Sequence, residues 1–301
     1  MISELGPKQG AVFDLTRRAK IRVTGADRLR YLNGQISNDI RKAGATTAIH
    51  ACVLNAKGRV NADVFITTDG DSYLVDTDYE MREQLVARLE RYAIADDVEI
   101  TDVTHDLALL HIVGPDTPPV QSAVAMPRAE RYGCGGIDIW LPRPSYDKAL
   151  QELLAELPFC DEATAETFRI EQGVPRWGHE LSEEIIPTEA NLEGSAIDYA
   201  KGCYIGQEVI SRIKMSGQTN KRLCGFVALG AAPLESAMRL TTSEGKDVGS
   251  ITSAAISRRL GKQIGLGFVK RGFTAIGTRL DASVDGADSV TAVEITGLPF
   301  V

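Results

Sequence analysis

Two apolar runs, His50 to Leu54 and Val60 to Thr67, flank the four residues Asn55-Ala-Lys-Gly58. Turn-forming residues between strand-forming ones predict a β-hairpin, and a hairpin is antiparallel by construction. Asp69-Gly70-Asp71 then turns the chain into a third strand at Ser72 to Asp76. Tyr79 to Ala93 follows, with Leu85, Leu89 and Tyr92 at helical spacing and mixed charges on the opposite face. With further strands at Val98 to Asp102 and Leu107 to Val113, the order is strand, strand, strand, helix, strand, strand. That order is α+β with antiparallel pairs.

Upstream of the hairpin, Lys20 to Thr24 alternates polar and apolar residues as a half-buried strand does, closed by Gly25. Asp27 to Ile40 places Leu29, Leu32, Ile36 and Ile40 on one helical face. Downstream, Gly114 to Pro127 reads as a loop or linker, Gly136 to Leu141 as a strand, and Ser145 to Leu157 as a helix ended by Pro158. Ala163 to Gln172 is a second helix, capped by Asp161 or Thr164. Gly173 to Gly202 shows no periodicity, and a loop of that length is usually functional or disordered. From Gly217 onward, strands at Leu223 to Leu229, Lys246 to Ser253, Gln263 to Val269 and Ser289 to Ile295 predict a small β-barrel or sandwich.

A chain of 301 residues predicts two or three domains, and 44% hydrophobic with 25% charged residues is the make-up of an ordinary folded protein. Forty-one acidic against thirty-three basic residues give a net charge of -8, which supplies no whole-molecule attraction to phosphate backbones. Direct nucleic-acid binding is therefore not expected. Two local basic runs, Arg17-Arg18 with Lys20 and Arg22, and Arg212, Lys214, Lys221 and Arg222, read as solvated faces. The start of the chain lacks a signal-peptide pattern and no segment reaches membrane-spanning length, so a soluble, cytoplasmic protein is expected. Five scattered cysteines without a C-x-x-C pair argue against a disulfide framework and a structural zinc site, and no metal is expected.

The stretch KGCYIGQEVISR, Lys201 to Arg212, concentrates the chemistry. Ile205, Val209, Ile210 and Ile213 share an apolar face, so a helix should begin near residue 205 with Cys203 just upstream. The helix's positive end and the Lys201 ammonium would favour the Cys203 thiolate. A small side chain in a glycine-flanked turn explains the same residue, and local physics leaves both readings open.

Lys201 to Glu208 resembles the K-G-C-[YF]-x-G-Q-E signature of the YgfZ family, folate-binding relatives of the glycine cleavage T-protein, at all eight positions. VTGADRLRYLNGQISNDI (23 to 40), VLNAKGRVNADVFIT (53 to 67), RIEQGVPRWGHEL (169 to 181), IPTEANLE (186 to 193) and VGSITSAAISRRLGKQIGLGFVKR (248 to 271) are similar to further segments of that group. The resemblance implies three domains around a central folate channel: residues 1–45 plus 159–216 as a discontinuous first domain, 46–158 inserted into it, and 217–301 as a barrel. It implies tetrahydrofolate or a derivative as cofactor, and a role in iron-sulfur cluster assembly or repair that supports tRNA modification, with assembly or client proteins as partners. A folate-dependent aminomethyltransferase and a non-catalytic folate-binding module are the alternatives.

By the same resemblance Glu171 would hold the pterin edge, since a carboxylate accepts two adjacent N–H donors at once. Asp63 falls where the T-protein carries an acidic pair, but Ala62 stands in the preceding position. Asn55, Lys201 and Gln207 join Glu171 and Asp63 as candidate cofactor contacts, with Cys203 and Asp63 as candidate catalytic groups. Arg169 would brace its loop, and Trp177 would stack on a pterin or serve packing. His105, His111 and His179 read as structural, and Cys52, Cys134, Cys160 and Cys224 as small buried residues.

Overall fold

The structure, a computed structural model, describes residues 10–114, 119–284 and 290–300. Part of the predicted 114–127 linker, the first residues of the predicted first domain and Ser289 lie outside the described residues. In chain order the first half comprises β1 (Ala11–Asp14), β2 (Ala19–Thr24), α1 (Arg28–Gln35), β3 (Ile49–Leu54), β4 (Val60–Thr68), β5 (Tyr73–Thr77), α2 (Arg82–Glu90), β6 (Glu99–Asp102) and β7 (Leu107–Val113). It continues with β8 (Ile137–Pro142), α3 (Tyr146–Leu154), β9 (Phe159–Cys160), α4 (Glu162–Glu171) and α5 (Gln207–Ser216). The rest is strand: β10 (Lys221–Ala228), β11 (Arg239–Thr241), β12 (Asp247–Ser257), β13 (Lys262–Lys270), β14 (Arg279–Ser283) and β15 (Val290–Thr296).

The predicted hairpin pairs β3 with β4, Cys52 opposite Asp63 and His50 opposite Phe65. It belongs to a five-stranded antiparallel sheet in the order β3-β4-β5-β2-β6. Strand alternation sorts its residues. Ala51, Val53, Ala62, Val64, Ile66 and Val75 face α1 and α2, where Leu32, Leu85 and Leu89 complete a core. The opposite face carries His50, Asp63, Phe65 and Asp76. Both faces of β4 are covered, which explains its nearly continuous burial.

A second sheet, β8-β7-β1-β9, packs Val12, Leu110, Ile112 and Ile139 against α3. Its other face meets the first sheet through Leu74, Leu109 and Trp140. The six C-terminal strands close into a barrel, β10-β13-β12-β11-β14-β15, around Phe226, Leu240, Val269 and Val293. The α+β fold ending in a barrel is thus the observed architecture.

Two boundaries need correcting. β2 lies between β5 and β6 in one sheet, while β1 lies between β7 and β9 in the other. A division at 45/46 therefore cuts through the first sheet, and assigning 46–158 to a separate domain also parts β1 and β9 from β7 and β8 of the second sheet. The physical reason is that β1 and β2 are neighbours in sequence but pair in different sheets, each with strands from far along the chain. The N-terminal basic run is a solvated face only in part: Arg17 is exposed, but Lys20 is fully buried, its ammonium donating to the carbonyls of Thr16 and Arg18, and Arg18 pairs with Asp76 and Asp78.

Candidate ligand-binding site

Between the two sheets and α4 lies a cavity of about 760 Å³, within the roughly 300–1,000 Å³ range of small-molecule sites. Phe65 from β4, Phe13 from β1, Tyr132 and Trp177 supply aromatic wall. Asp63 and Asp78 come from the first sheet's polar face and the turn after β5, and Glu166 and Arg169 from α4. The Asp161 side chain starts α4 by accepting from the Thr164 amide, which fixes the face that α4 turns to the cavity.

Asp63 is held from behind. His50 Nε2 lies 2.6 Å from Asp63 Oδ1, and His50 Nδ1 lies 3.2 Å from Ser195 Oγ. A carboxylate oxygen accepts, so Nε2 is the donor toward Asp63, while Nδ1 faces the Ser195 hydroxyl. The imidazole is itself stacked on Phe65, centroids 4.5 Å apart and planes 1° from parallel. Sequence reading missed His50. The signal was the hairpin register, which sets His50 beside Phe65 and therefore on the face of Asp63.

The cavity floor rests on a buried charge network. Arg131 donates to Asp76 on β5 and to Asp138 on β8, both carboxylates fully buried, and its guanidinium lies 4.3 Å over the Phe65 ring. Asp138 also lies 2.8 Å from His111 Nδ1, so His111 is structural as expected. Burial pushes the Asp78 carboxyl up; Arg18 opposes this, while Asp63, Asp76 and Glu80 add to it. Glu166 goes the other way: burial would raise it, but bonds to Arg169 and the charges of Arg169 and Arg176 bring it below its ordinary value.

Arg169 braces its loop as predicted, donating to the Val174 carbonyl, Glu166, Glu180 and Ser253. The loop from 173 to 202 is seated at its centre, where Thr188, Glu189 and Ala190 are buried in a short 3-10 turn, Pro187–Ala190.

Several predicted contacts lie elsewhere. Glu171 is buried but absent from the cavity wall; Ser257 Oγ donates to its Oε1 at 2.5 Å, tying α4 to the barrel. The reason is helical phase, since Glu166 and Arg169 take the cavity side. Asn55 Oδ1 accepts from the amides of Lys57 and Arg59, a turn role alone. Ala62 faces the α1–α2 core, so a second acid at that position would point away from Asp63.

The Lys201–Glu208 stretch docks on α1 and the hairpin. The Lys201 ammonium donates to the carbonyls of Asn33 and Ile36 at 2.6 Å each, capping the end of α1. Burial lowers it to about 8, against the opposing pull of Asp39 and Asp198. It is thus committed to α1 and to the Tyr204 ring, 5.0 Å away, where the sequence suggested support for a thiolate. Tyr204 is buried. Gly206 has φ +87°, and a Cβ there would meet the Asn55 carbonyl oxygen at 2.6 Å. α5 starts at Gln207, two residues later than expected, leaving Cys203 solvent-exposed and outside the cavity wall; Gln207 is outside it too. Of the other cysteines, Cys52, Cys160 and Cys224 are buried and Cys134 is half-buried.

No helix among the described residues is long and apolar enough to cross a membrane, and no three His, Cys, Asp or Glu side chains among them converge as a metal site.

A two-sheet body with an interior cavity and a closed barrel defines the class. The GCVT N-terminal domain matches residues 7–131, and the glycine cleavage T-protein C-terminal barrel domain matches 221–301. The chain belongs to the GcvT-like superfamily. Among its relatives, the mitochondrial iron-sulfur cluster assembly factor IBA57 homolog of Dictyostelium discoideum is 26% identical over 70% of this chain. The match spans only 61% of that relative's length. An aminomethyltransferase of Rubrobacter xylanophilus is 27% identical over 87% of this chain and 76% of its own. The crystal structure of aminomethyltransferase T from Bartonella henselae superposes with a TM-score of 0.85 at 18% identity, covering 98% of this chain and 87% of that one, which establishes the fold.

Proposed function

We propose that the chain binds tetrahydrofolate or a related folate in the cavity between the sheets and acts, as a YgfZ-type protein, in iron-sulfur cluster assembly or repair, supporting tRNA modification in the cytoplasm. The observation that carries the folate reading is Asp63, a carboxylate oriented by His50 beside the Phe65 and Tyr132 rings. A pterin offers a flat ring to the aromatics and adjacent N–H donors to a carboxylate, and Asp63 takes the role that the family pattern would give Glu171. Lys201, Gln207 and Asn55 lie outside the cavity wall, Lys201 at the end of α1 and Asn55 in the hairpin turn, and none of them is assigned a ligand contact.

The likeness to the IBA57 homolog favours cluster assembly. So does Cys203, an exposed thiol on a loop whose neighbours Lys201, Tyr204 and Gly206 are locked, which leaves it open to a protein partner. The single acid in the cavity hairpin, with Ala62 turned into the core, counts against the aminomethyltransferase alternative that other relatives suggest.

Calorimetric titration with tetrahydrofolate tests the binding. The wild type should bind, and Asp63→Asn should bind about tenfold or more weakly, the loss of one charge-assisted acceptor. Absence of binding by a folded wild type would remove the folate reading. For the cellular role, deletion should lower iron-sulfur enzyme activity and thiolated tRNA together; full rescue by Cys203→Ala would take the thiol out of the mechanism.

A further inference from the structure

Asp63 and His50 belong to a longer array. Ser195 Oγ lies 3.2 Å from His50 Nδ1, and His50 Nε2 lies 2.6 Å from Asp63 Oδ1. Hydroxyl, imidazole and carboxylate in a row are the three parts of an activated nucleophile, which is recognised by geometry and roles, not by order in the chain. Here they come from the loop at Ser195, from β3 and from β4. Which ring nitrogen meets the hydroxyl does not change the roles, because in a neutral imidazole either nitrogen can carry the lone pair while the other donates.

Three contacts hold the array together. The Asn38 side-chain amide donates to the His50 carbonyl at 2.8 Å and to the Ser195 carbonyl at 3.2 Å, fixing the two backbones relative to each other. Ser37 Oγ donates to the Ala196 carbonyl at 2.6 Å and accepts from the Cys52 amide at 2.8 Å, a second tie between the loop and β3. Stacking on Phe65 sets the plane of the imidazole. The His50 and Asp63 side chains are only 11% and 12% exposed, whereas Ser195 is exposed. The hydroxyl thus faces solvent, with its base and the orienting acid sheltered behind it. Beside it, Gly194 has nothing within 4 Å of where a Cβ would stand, which leaves room for an acyl group. Neither Ser195 nor His50 lines the cavity, so the hydroxyl serves a different face of the molecule.

We propose that Ser195 is a nucleophile for acyl transfer, with His50 as its general base, Asp63 as the positioning residue and carboxylic esters as the substrate class. The inference does not rest on the folate reading of the cavity. Ser195 Oγ attacks the ester carbonyl carbon as its proton passes to His50 Nδ1; the alkoxide leaves with that proton, and an acyl-serine remains. Water then attacks the acyl-serine while giving a proton to Nδ1, and Ser195 departs with that proton as the carboxylic acid is released. Asp63 keeps the Nε2 proton in place and stabilises the imidazolium that forms in each step.

The test uses an alkyl fluorophosphonate, which labels activated hydroxyls, and p-nitrophenyl acetate as the ester. The wild type should be labelled at Ser195, located by peptide mass, and should hydrolyse the ester. Ser195→Ala should lose both while keeping its thermal melt, since the side chain is exposed. His50→Gln should be labelled about 100-fold more slowly, the low end of what a general base contributes. In Asp63→Asn an amide that donates to Nε2 moves the ring proton to Nδ1, so labelling should slow and the imidazole ¹⁵N shifts should report the changed tautomer. A purely structural Asp63 would leave that tautomer as it was. Labelling of Ser195 no faster than of another exposed serine such as Ser216, or ester hydrolysis at the wild-type rate in Ser195→Ala, would overturn the proposal.

Discussion

At the residue scale, the signature stretch separates into positions fixed by architecture and positions left over. Gly206 is one of the fixed ones: a left-handed backbone and a carbonyl oxygen where a Cβ would go exclude any side chain. Gly202, four residues earlier, has open space around it. Gly206→Ala should therefore lose about 2–3 kcal/mol of stability, and Gly202→Ala less than about 0.5 kcal/mol, by urea denaturation. Equal effects would mean that the docking of this loop on the hairpin is not what specifies Gly206. The sequence alone raised Cys203 and Lys201 as a pair, because adjacency along the chain is legible and direction is not. The Lys201 ammonium points into the end of α1, a partner 165 residues away from Ile36 in sequence, and nothing local announces it.

At the scale of elements, what the sequence showed were the pieces stabilised by their own pattern. The β3–β4 hairpin, α2, α4 with its Asp161 cap, and the long barrel strands follow from turn chemistry and periodicity. The four-residue β1 and two-residue β9 did not, since each exists only by pairing with strands brought in from far along the chain. In the site the same division holds: Asp63, Trp177 and Arg169 were legible from motifs, while His50, Arg131 and Glu166 acquire their roles only when two sheets and a helix meet. The seating of the signature loop on α1 gives a test with a definite sign. Lys201 titrates near 8 in the folded protein against 10.5 when unperturbed, because burial disfavours the charged form. Between those values the unfolded chain binds more protons, so this lysine's contribution to stability rises with pH from about 8 to about 10.5 and is lost as pH falls through 8. Relative to Lys201→Met, the wild type should gain on the order of 3 kcal/mol across that window. A difference between the two proteins that stays flat with pH would show that the ammonium is not buried at the end of α1.

For the whole molecule, the decisive question is what keeps two sheets apart far enough to leave a cavity yet fixed relative to each other. The hydrophobic contact between them, Leu74 with Leu109 and Trp140, covers only part of the interface. Arg131 adds a charged link, since its two carboxylate partners belong to different sheets. Removing the arginine leaves Asp76 and Asp138 buried without their cation, so Arg131→Met should cost about 3–5 kcal/mol and weaken any ligand that rests on the Phe65 wall. Acid should undo the same link in the wild type. Burial would raise the Asp138 carboxyl, but the Arg131 charge and the His111 bond hold it at about 2 against an ordinary 3.8. A group depressed in the folded state contributes stability above its unfolded value and loses it as pH falls through the folded one. Asp138 should thus contribute on the order of 2 kcal/mol above pH 4 that disappears toward pH 2. Urea denaturation of the wild type and Asp138→Asn across this range should show the gap between them closing as pH falls. A gap of constant size would mean that the carboxylate's charge is not what joins the sheets, and that packing around Trp140 sets the width of the cavity instead.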